Sequence, residues 1–469
     1  AKQKYESGST VIKYASIDER GYIDSLNFKI DNQKVKWDYY NNHLDIAILY
    51  LNKPLKPKQK IVIETPFFVK IPSAQFSRLG HIGQSYQITQ WFPKPAVFDE
   101  NGWHPLYYLD QGEFYSEFGS YDVKITLPEN YVIMATGDLV DGEKELEFLN
   151  EKVKLTEQKI KNNKLPTKDS LGRKDMSFPK SSEKFKTVHF KQKNVHDFAW
   201  FADKRYHVLS GEVELPKSKR KVKTWALFTN QEAHLWTKSI EYLNDATKYF
   251  SKWVGEYPYN HVTAVDGTIS AGGGMEYPNI TVIGNSYTAH ALETVIIHEV
   301  GHNWFYGILG SNERDNAWMD EGMNTYIEIR YMEEKYNGQF MNIPFIKLKD
   351  KNLQEATYRF NASRNYDQPL KMGSEYFTEF NYGGMVYAKT GIGFHYLKGY
   401  LGEELFDQCM NNYFNQWKFK HPKPEDLEKI FEDISGKNLD WFFDGYINTS
   451  QKTDYTFKSL KKINEKDYL

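Results

Sequence analysis

The sequence predicts a multidomain α and β protein, an antiparallel β domain followed by an α+β domain that is mainly helical. Three observations predict it. At 469 residues the chain is longer than one growing hydrophobic core supports, so two or three packed units are expected. Its hydrophobic pattern alternates with a period of two up to about residue 228 and turns helical beyond it. Hydrophobic residues make up 40% and aromatic residues 16%, a composition for large packed interfaces rather than a disordered chain.

Taken in order, residues 1 to about 140 alternate in "STVIKYASID", "LDIAILYLN", "KIVIETPFFVKI" and "YDVKITLPENYVIMATGD", with Gly, Pro and Asn-Asp turns between them. These are the marks of antiparallel strands. Residues 141–187 are rich in Lys and Glu and nearly free of aromatics, which predicts a solvated hairpin or loop insertion. Alternation resumes in "FKTVHFKQKNVHDFAWFADKRYHVLSGEVELP" and "RKVKTWALFT", so the N-terminal β domain is expected to span 1–228. The second domain is expected over 229–447. It opens with "NQEAHLWTKSIEYLNDATKYFSKWVG", where Leu235, Ile240, Leu243 and Ala246 share one helical stripe. Short strands follow in "HVTAVDGT" and "GGGMEYPNITVIG", and then long helical stretches. Residues 448–469 return to alternation and read as a linker and a strand. A lone strand is not a stable unit, so a further C-terminal domain is expected to begin there.

Charge and cysteine content narrow the partners. Lys+Arg number 60 against 62 Asp+Glu, a formal charge of -2, which gives no electrostatic case for nucleic acid or an anionic membrane. The single cysteine, Cys409, rules out an internal disulfide and a zinc site made of thiolates. No apolar run reaches the length of a transmembrane segment. The opening "AKQKYESGST" has neither an initial Met nor a signal-peptide pattern. With the Lys, Asn and Tyr content, it leans toward an exported bacterial protein, periplasmic or at the cell surface. Oligomeric state is not legible.

The chemistry lies in "ETVIIHEVGHNWFYG". His298 and His302 stand at i and i+4, which on a helix puts both imidazoles on one face, able to reach one ion about 2.0–2.1 Å away. A helix from Ala291 to Tyr306 is expected, since that stretch has no proline and Gly307 follows it. A catalytic zinc site takes three protein ligands and keeps an open position. Downstream, "DNAWMDEGMNTYIEIRYMEEK" reads as a helix starting near Asn316 and returning antiparallel to the first. Glu321 is a candidate third ligand, Asp320 is its rival, and a helical step of about 100° allows only one of them to face the ion. Gly322 would let the two helix backbones come close.

"HEVGHNWFYG" followed by "WMDEGMNTY" resembles the H-E-x-x-H, eighteen residues, Glu pattern of the gluzincin aminopeptidases of the aminopeptidase N type. "GGGMEYP" resembles that family's G-x-M-E-N motif, and the likeness in order of elements runs from about residue 80 to 450. The resemblance implies a thermolysin-like catalytic domain and one zinc ion per chain, held by His298, His302 and Glu321. Zinc there would acidify a bound water and polarise a peptide carbonyl. Glu299 would take the water's proton and pass it to the leaving amine. Tyr387, in the Y-x-K-x-G stretch of "NYGGMVYAKTGIGF", would donate to the developing oxyanion, and Tyr382 would line the pocket.

The glycines then acquire a purpose. A strand without side chains lets another backbone approach, so Gly273, Gly274 and Met275 can hydrogen-bond an extended substrate as an added strand. Glu276 would pair with a free α-ammonium group at the end of that edge, making peptides with a free N-terminus the substrates. Two positions depart from the family. Tyr277 stands where the family has Asn, and in "ITQWFPKP" Gln90 matches the amine-binding Gln while Phe92 replaces the second polar residue. Phe92 and Trp91 could instead narrow an apolar pocket. Beside a zinc aminopeptidase stand a metallohydrolase of the same scaffold with endopeptidase or non-peptide hydrolase activity, and a non-catalytic binding module.

Overall fold

A computed structural model describes residues 14–452 apart from 42, 110, 166–173, 268–272 and 344–345, and gives no side-chain description for 339–348. The strand expected within 453–469 lies outside the described residues.

The first half is antiparallel, as its alternation predicts. One four-stranded sheet runs in the order Val132–Ala135, Trp200–Asp203, Ser85–Ile88, Gly80–Ile82. Beside it the long strand Gly119–Pro128 pairs with Phe185–Val195, from Tyr121 opposite Gln192 to Pro128 opposite Phe185. Along the long strand Tyr121, Val123, Ile125 and Leu127 turn inward while Ser120, Asp122, Lys124 and Thr126 face water. The inward set meets Ile133, Val188, Phe190 and Phe198 in a shared core.

The charged stretch after residue 141 is not a hairpin or loop. Glu143–Lys161 is a helix of 19 residues, and Leu149, Val153 and Thr156 are its buried stripe. It lies on the strand His207–Glu214, where Thr156 Oγ1 accepts from the Val208 amide at 3.1 Å. So narrow a stripe leaves most positions to Lys and Glu, and the segment reads as a solvated insertion although one face is packed.

The expected boundary at residue 228 falls inside a sheet. Five strands run in the order His207–Glu214, Lys221–Phe228, His261–Asp266, Ile280–Ile283, Gly274–Tyr277. The hairpin of the first two joins the second half through parallel pairing of Lys221–Phe228 with His261–Asp266. Alternation marks a strand but does not say which sheet takes it, so the first half's sheets end at Asp203. Gly274–Tyr277 pairs antiparallel with Ile280–Ile283 and, among the described residues, is the end strand of the sheet.

Helices cover this sheet. Ser239–Trp253 buries Leu243, Ala246, Phe250 and Trp253, whereas Leu235 lies ahead of the helix and Ile240 is half-buried. Ala289–Gly301 starts at Thr288, whose hydroxyl accepts from the Ala291 amide, and ends with His302 as its cap. That end is several residues before Tyr306, where the sequence had placed it. Glu321–Tyr336 begins later than expected, because Asp320 leaves helical geometry at φ -96°, ψ -81°. The aromatic content fills the core among these helices, with Trp236, Trp253, Trp304, Trp318, Tyr326 and Phe394 buried together. Among the described residues no helix is long and apolar enough to cross a membrane.

Candidate metal centre and its cavity

Two close approaches build the centre. A Cβ on Gly301 would stand 2.0 Å from Asn324 Oδ1, so the histidine helix and Glu321–Tyr336 nearly touch, and Asn324 Nδ2 donates to the His298 carbonyl at 2.7 Å. Gly322 serves a different neighbour from the one expected. Its Cβ would meet Thr390 Cβ at 2.3 Å and the Val386 carbonyl at 2.5 Å, so it admits the π-helical segment Tyr382–Lys389 that carries both candidate tyrosines.

His298 Nε2 and His302 Nε2 lie 3.1 Å apart, and each is 3.2 Å from Glu321 Oε2. Three ligands on a tetrahedral ion with bonds of about 2.0–2.1 Å would be separated by about 3.3 Å, so the triangle has the right size. The other ring nitrogens face carboxylates, His302 Nδ1 to Asp320 Oδ1 at 2.6 Å and His298 Nδ1 to Glu328 Oε2 at 3.2 Å. With each Nδ1–H donated outward, the three atoms facing the shared point are all acceptors, an arrangement that calls for a cation. These residues fit zinc. Burial pushes the Glu321 carboxyl upward, yet in the metal-free site, where both rings can carry a second proton, the charges and hydrogen bonds of His302 and His298 outweigh it and leave it well below the usual carboxylate range. The rivalry between adjacent carboxylates thus resolves by rotation: Asp320 points to the back of His302 while Glu321 points to the front of both rings.

A cavity of about 300 Å³ opens over the triangle. Glu299 lines it, and burial pushes its carboxyl up to about 7 against the opposing pull of His298 and His302. Tyr387 also lines it, its hydroxyl donating to Glu321 Oε1 at 2.5 Å. Burial and the Glu321 charge raise that phenol well above its usual range, so it stays a donor. Tyr382 packs edge-on against Tyr387 with ring centroids 5.8 Å apart, and its hydroxyl accepts from the Gly112 amide at 3.2 Å.

Gly273 and Gly274 line the same cavity. Gly274 has a reason beyond backbone approach, since a Cβ there would stand 2.4 Å from Glu299 Cδ. Met275 differs from them: its side chain is buried in the core and only its backbone belongs to the sheet edge. Glu276 is buried and lines the cavity, and carboxylate oxygens of Glu276 and Glu299 and a His302 ring nitrogen lie within 4.8 Å of one another. Glu276 Oε1 has no hydrogen-bond partner among the described residues.

Gln90 is not brought to the cavity. It takes a left-handed turn at φ 46° that sends the next side chains into the β half. Trp91 Nε1 donates to the Phe198 carbonyl at 3.1 Å, and Phe92 packs edge-on to Tyr121. The two aromatics therefore fill the core of the first half and narrow no substrate pocket. Tyr277, at the family's Asn position, is likewise buried in a core.

Sequence reasoning missed four lining or bracing residues: Arg78, Glu113, Asp320 in its actual role, and Glu328. Glu328 stands seven positions after Glu321, two turns along the same helix face, and that spacing is a usable signal. Arg78 and Glu113 sit in irregular segments of the β half, where no periodicity singles them out.

Residues 236–446 match the family model described as Peptidase family M1 domain. A stretch of 214 residues, 42% of the chain, is 26% identical to human "Endoplasmic reticulum aminopeptidase 2" and covers 21% of that protein. Another of 158 residues, 33% of the chain, is 27% identical to "Aminopeptidase N" of Lactococcus lactis subsp. lactis and covers 18% of it. The matches thus span about a fifth of these relatives' length. The fold is similar to that of an M1 zinc metallopeptidase from Deinococcus radiodurans, with a TM-score of 0.60 at 14% identity over 92% of this chain and 85% of that one.

Proposed function

Since residues 236–446 match the family model described as Peptidase family M1 domain, we propose that the chain is a zinc aminopeptidase, removing N-terminal residues from peptides. One observation carries the exopeptidase part: Glu276, at the end strand of the sheet, has one buried carboxyl oxygen without a hydrogen-bond partner among the described residues, and its carboxyl lies within 4.8 Å of Glu299 and His302. Burying a lone carboxylate is costly, and a substrate's α-ammonium group placed one residue from the scissile bond would offset that cost.

The parts divide the work as follows. Bound zinc supplies Lewis-acid polarisation of a carbonyl and a more acidic water. Glu299 takes a proton from the attacking water and returns it to the departing amine. Tyr387 turns its hydroxyl from Glu321 toward the oxygen that gains charge. The Gly274–Tyr277 edge holds the peptide as an added strand, and the missing Cβ of Gly274 keeps the space in which Glu299 moves. Phe92, which had kept a broader hydrolase in view, lies in the β-half core and lends that alternative no support. The composition's lean toward an exported bacterial setting is part of this proposal.

The test is the rate on an alanyl or leucyl fluorogenic amide, with and without N-acetylation, after stripping metal and restoring zinc. Zinc-dependent cleavage of only the free-amine form is expected. Equal cleavage of both forms would reassign the chain as an endopeptidase, and cleavage of neither would remove the aminopeptidase reading.

A further inference from the structure

The α-ammonium group of a peptide carries three N–H donors, and a lone carboxylate is a thin receptor for it in a buried site. Gln90, the expected second acceptor, is turned away. The cavity nevertheless contains another acidic side chain from the β half. Glu113 lines it together with Arg78 and Glu276.

Glu113 is held with unusual care for a loop residue. Arg78 Nη1 and Nη2 grip its two carboxylate oxygens at 2.5 and 2.6 Å. Its amide donates to the Glu313 carboxylate. The preceding residue, Gly112 at φ 78°, donates to the Tyr382 hydroxyl and has no room for a Cβ beside Ser374. Arg314 of the catalytic half donates to the carbonyls of Gln111 and Tyr107 at 3.1 and 3.2 Å. The loop is thus pinned from both halves, with Glu113 in the cavity wall.

We propose that Glu113 is the second α-ammonium acceptor of this site, taking the part expected of Gln90, and that Arg78 is the positioning residue that keeps it aimed. This rests on the aminopeptidase reading and adds a residue to it. A carboxylate offers about four lone-pair directions, so the guanidinium fork leaves Glu113 free to accept from a ligand.

The experiment is titration calorimetry of the zinc-loaded protein with leucine hydroxamate and with its des-amino analogue, which share a metal-binding group and differ in the amine. Wild type is expected to prefer the amine-bearing ligand. Glu113→Gln should cut that preference about 10- to 100-fold, the usual weight of a hydrogen bond to a charged group, and leave the des-amino affinity within about threefold. Should Glu113→Gln fail to fold because Arg78 is stranded, the double variant Arg78→Gln/Glu113→Gln removes both charges and must show the same loss. A preference lost in Glu276→Gln but intact in a folded Glu113 variant overturns this inference alone. A wild-type protein with no preference overturns the aminopeptidase reading and this inference with it.

Discussion

The two ends of the cavity are built in opposite ways. At the metal end, every ligand and brace comes from one stretch of 31 residues, His298 to Glu328, folded into two contacting helices. At the amine end, Arg78, Glu113 and Glu276 arrive from segments up to about 200 positions apart, and the seam between the halves brings them together. The metal end therefore depends on helix geometry that is local and cooperative. The amine end depends on how the β half docks. Chemistry should accordingly be sensitive to the first and substrate choice to the second.

The largest expected effect lies where the two ends meet. Glu299→Gln keeps the shape beside Gly274 and removes the carboxylate that moves the proton. Turnover should fall about 10²- to 10⁴-fold, with zinc content by elemental analysis unchanged. Near-normal turnover would take Glu299 out of the mechanism. A smaller effect separates the two braces within the metal end. Asp320 and His302 are 2.6 Å apart and almost wholly buried, whereas Glu328 and His298 are 3.2 Å apart with 9% and 16% of their side chains exposed. Removing an outer partner of a metal ligand typically costs about 10- to 100-fold in affinity. Asp320→Ala should fall near the upper figure and Glu328→Ala near the lower, read by zinc competition against a chromophoric chelator. The reverse order would mean that burial does not set the strength of these braces.

The same contrast explains what could be read from sequence. His298, His302 and Glu321 are tied to one another by helical spacing and a short return, so a motif written along the chain records a contact in space. The glycines at 273 and 274 were legible as an open edge, but the debt of Gly274 to Glu299 was not, because it crosses from strand to helix. Gln90 was misjudged on a motif position. A single left-handed residue reverses where the following side chains point, and no hydrophobic period reports a backbone turn. Arg78 and Glu113 were invisible for a related reason, since irregular segments have no repeat from which to infer a facing side. The helix at Glu143–Lys161 was obscured by its own narrow stripe, and the hairpin 207–228 by the silence of alternation about sheet membership.

The smallest effect concerns the seam that the amine end relies on. His196 of the β half is buried, with neither ring nitrogen hydrogen-bonded among the described residues, and it packs edge-on to Tyr306 of the catalytic half at 4.4 Å and to Phe118 at 6.1 Å. Burial drives its pKa down to about 3, with Lys94 and His421 adding to the fall and Asp197 opposing it. An unfolded histidine titrates near 6.5, so below that pH the unfolded chain binds a proton that the folded chain refuses. Stability is therefore complete above about 6.5 and declines as the pH falls toward the folded value, by up to about 1.4 kcal/mol per pH unit. Chemical unfolding of the zinc-saturated protein at pH 7.5, 6.5 and 5.5 should show His196→Gln declining less steeply than wild type over the lowest interval. Zinc ligands protonate in both proteins and drop out of that difference, so parallel declines would show that the seam does not feel the charge state of His196.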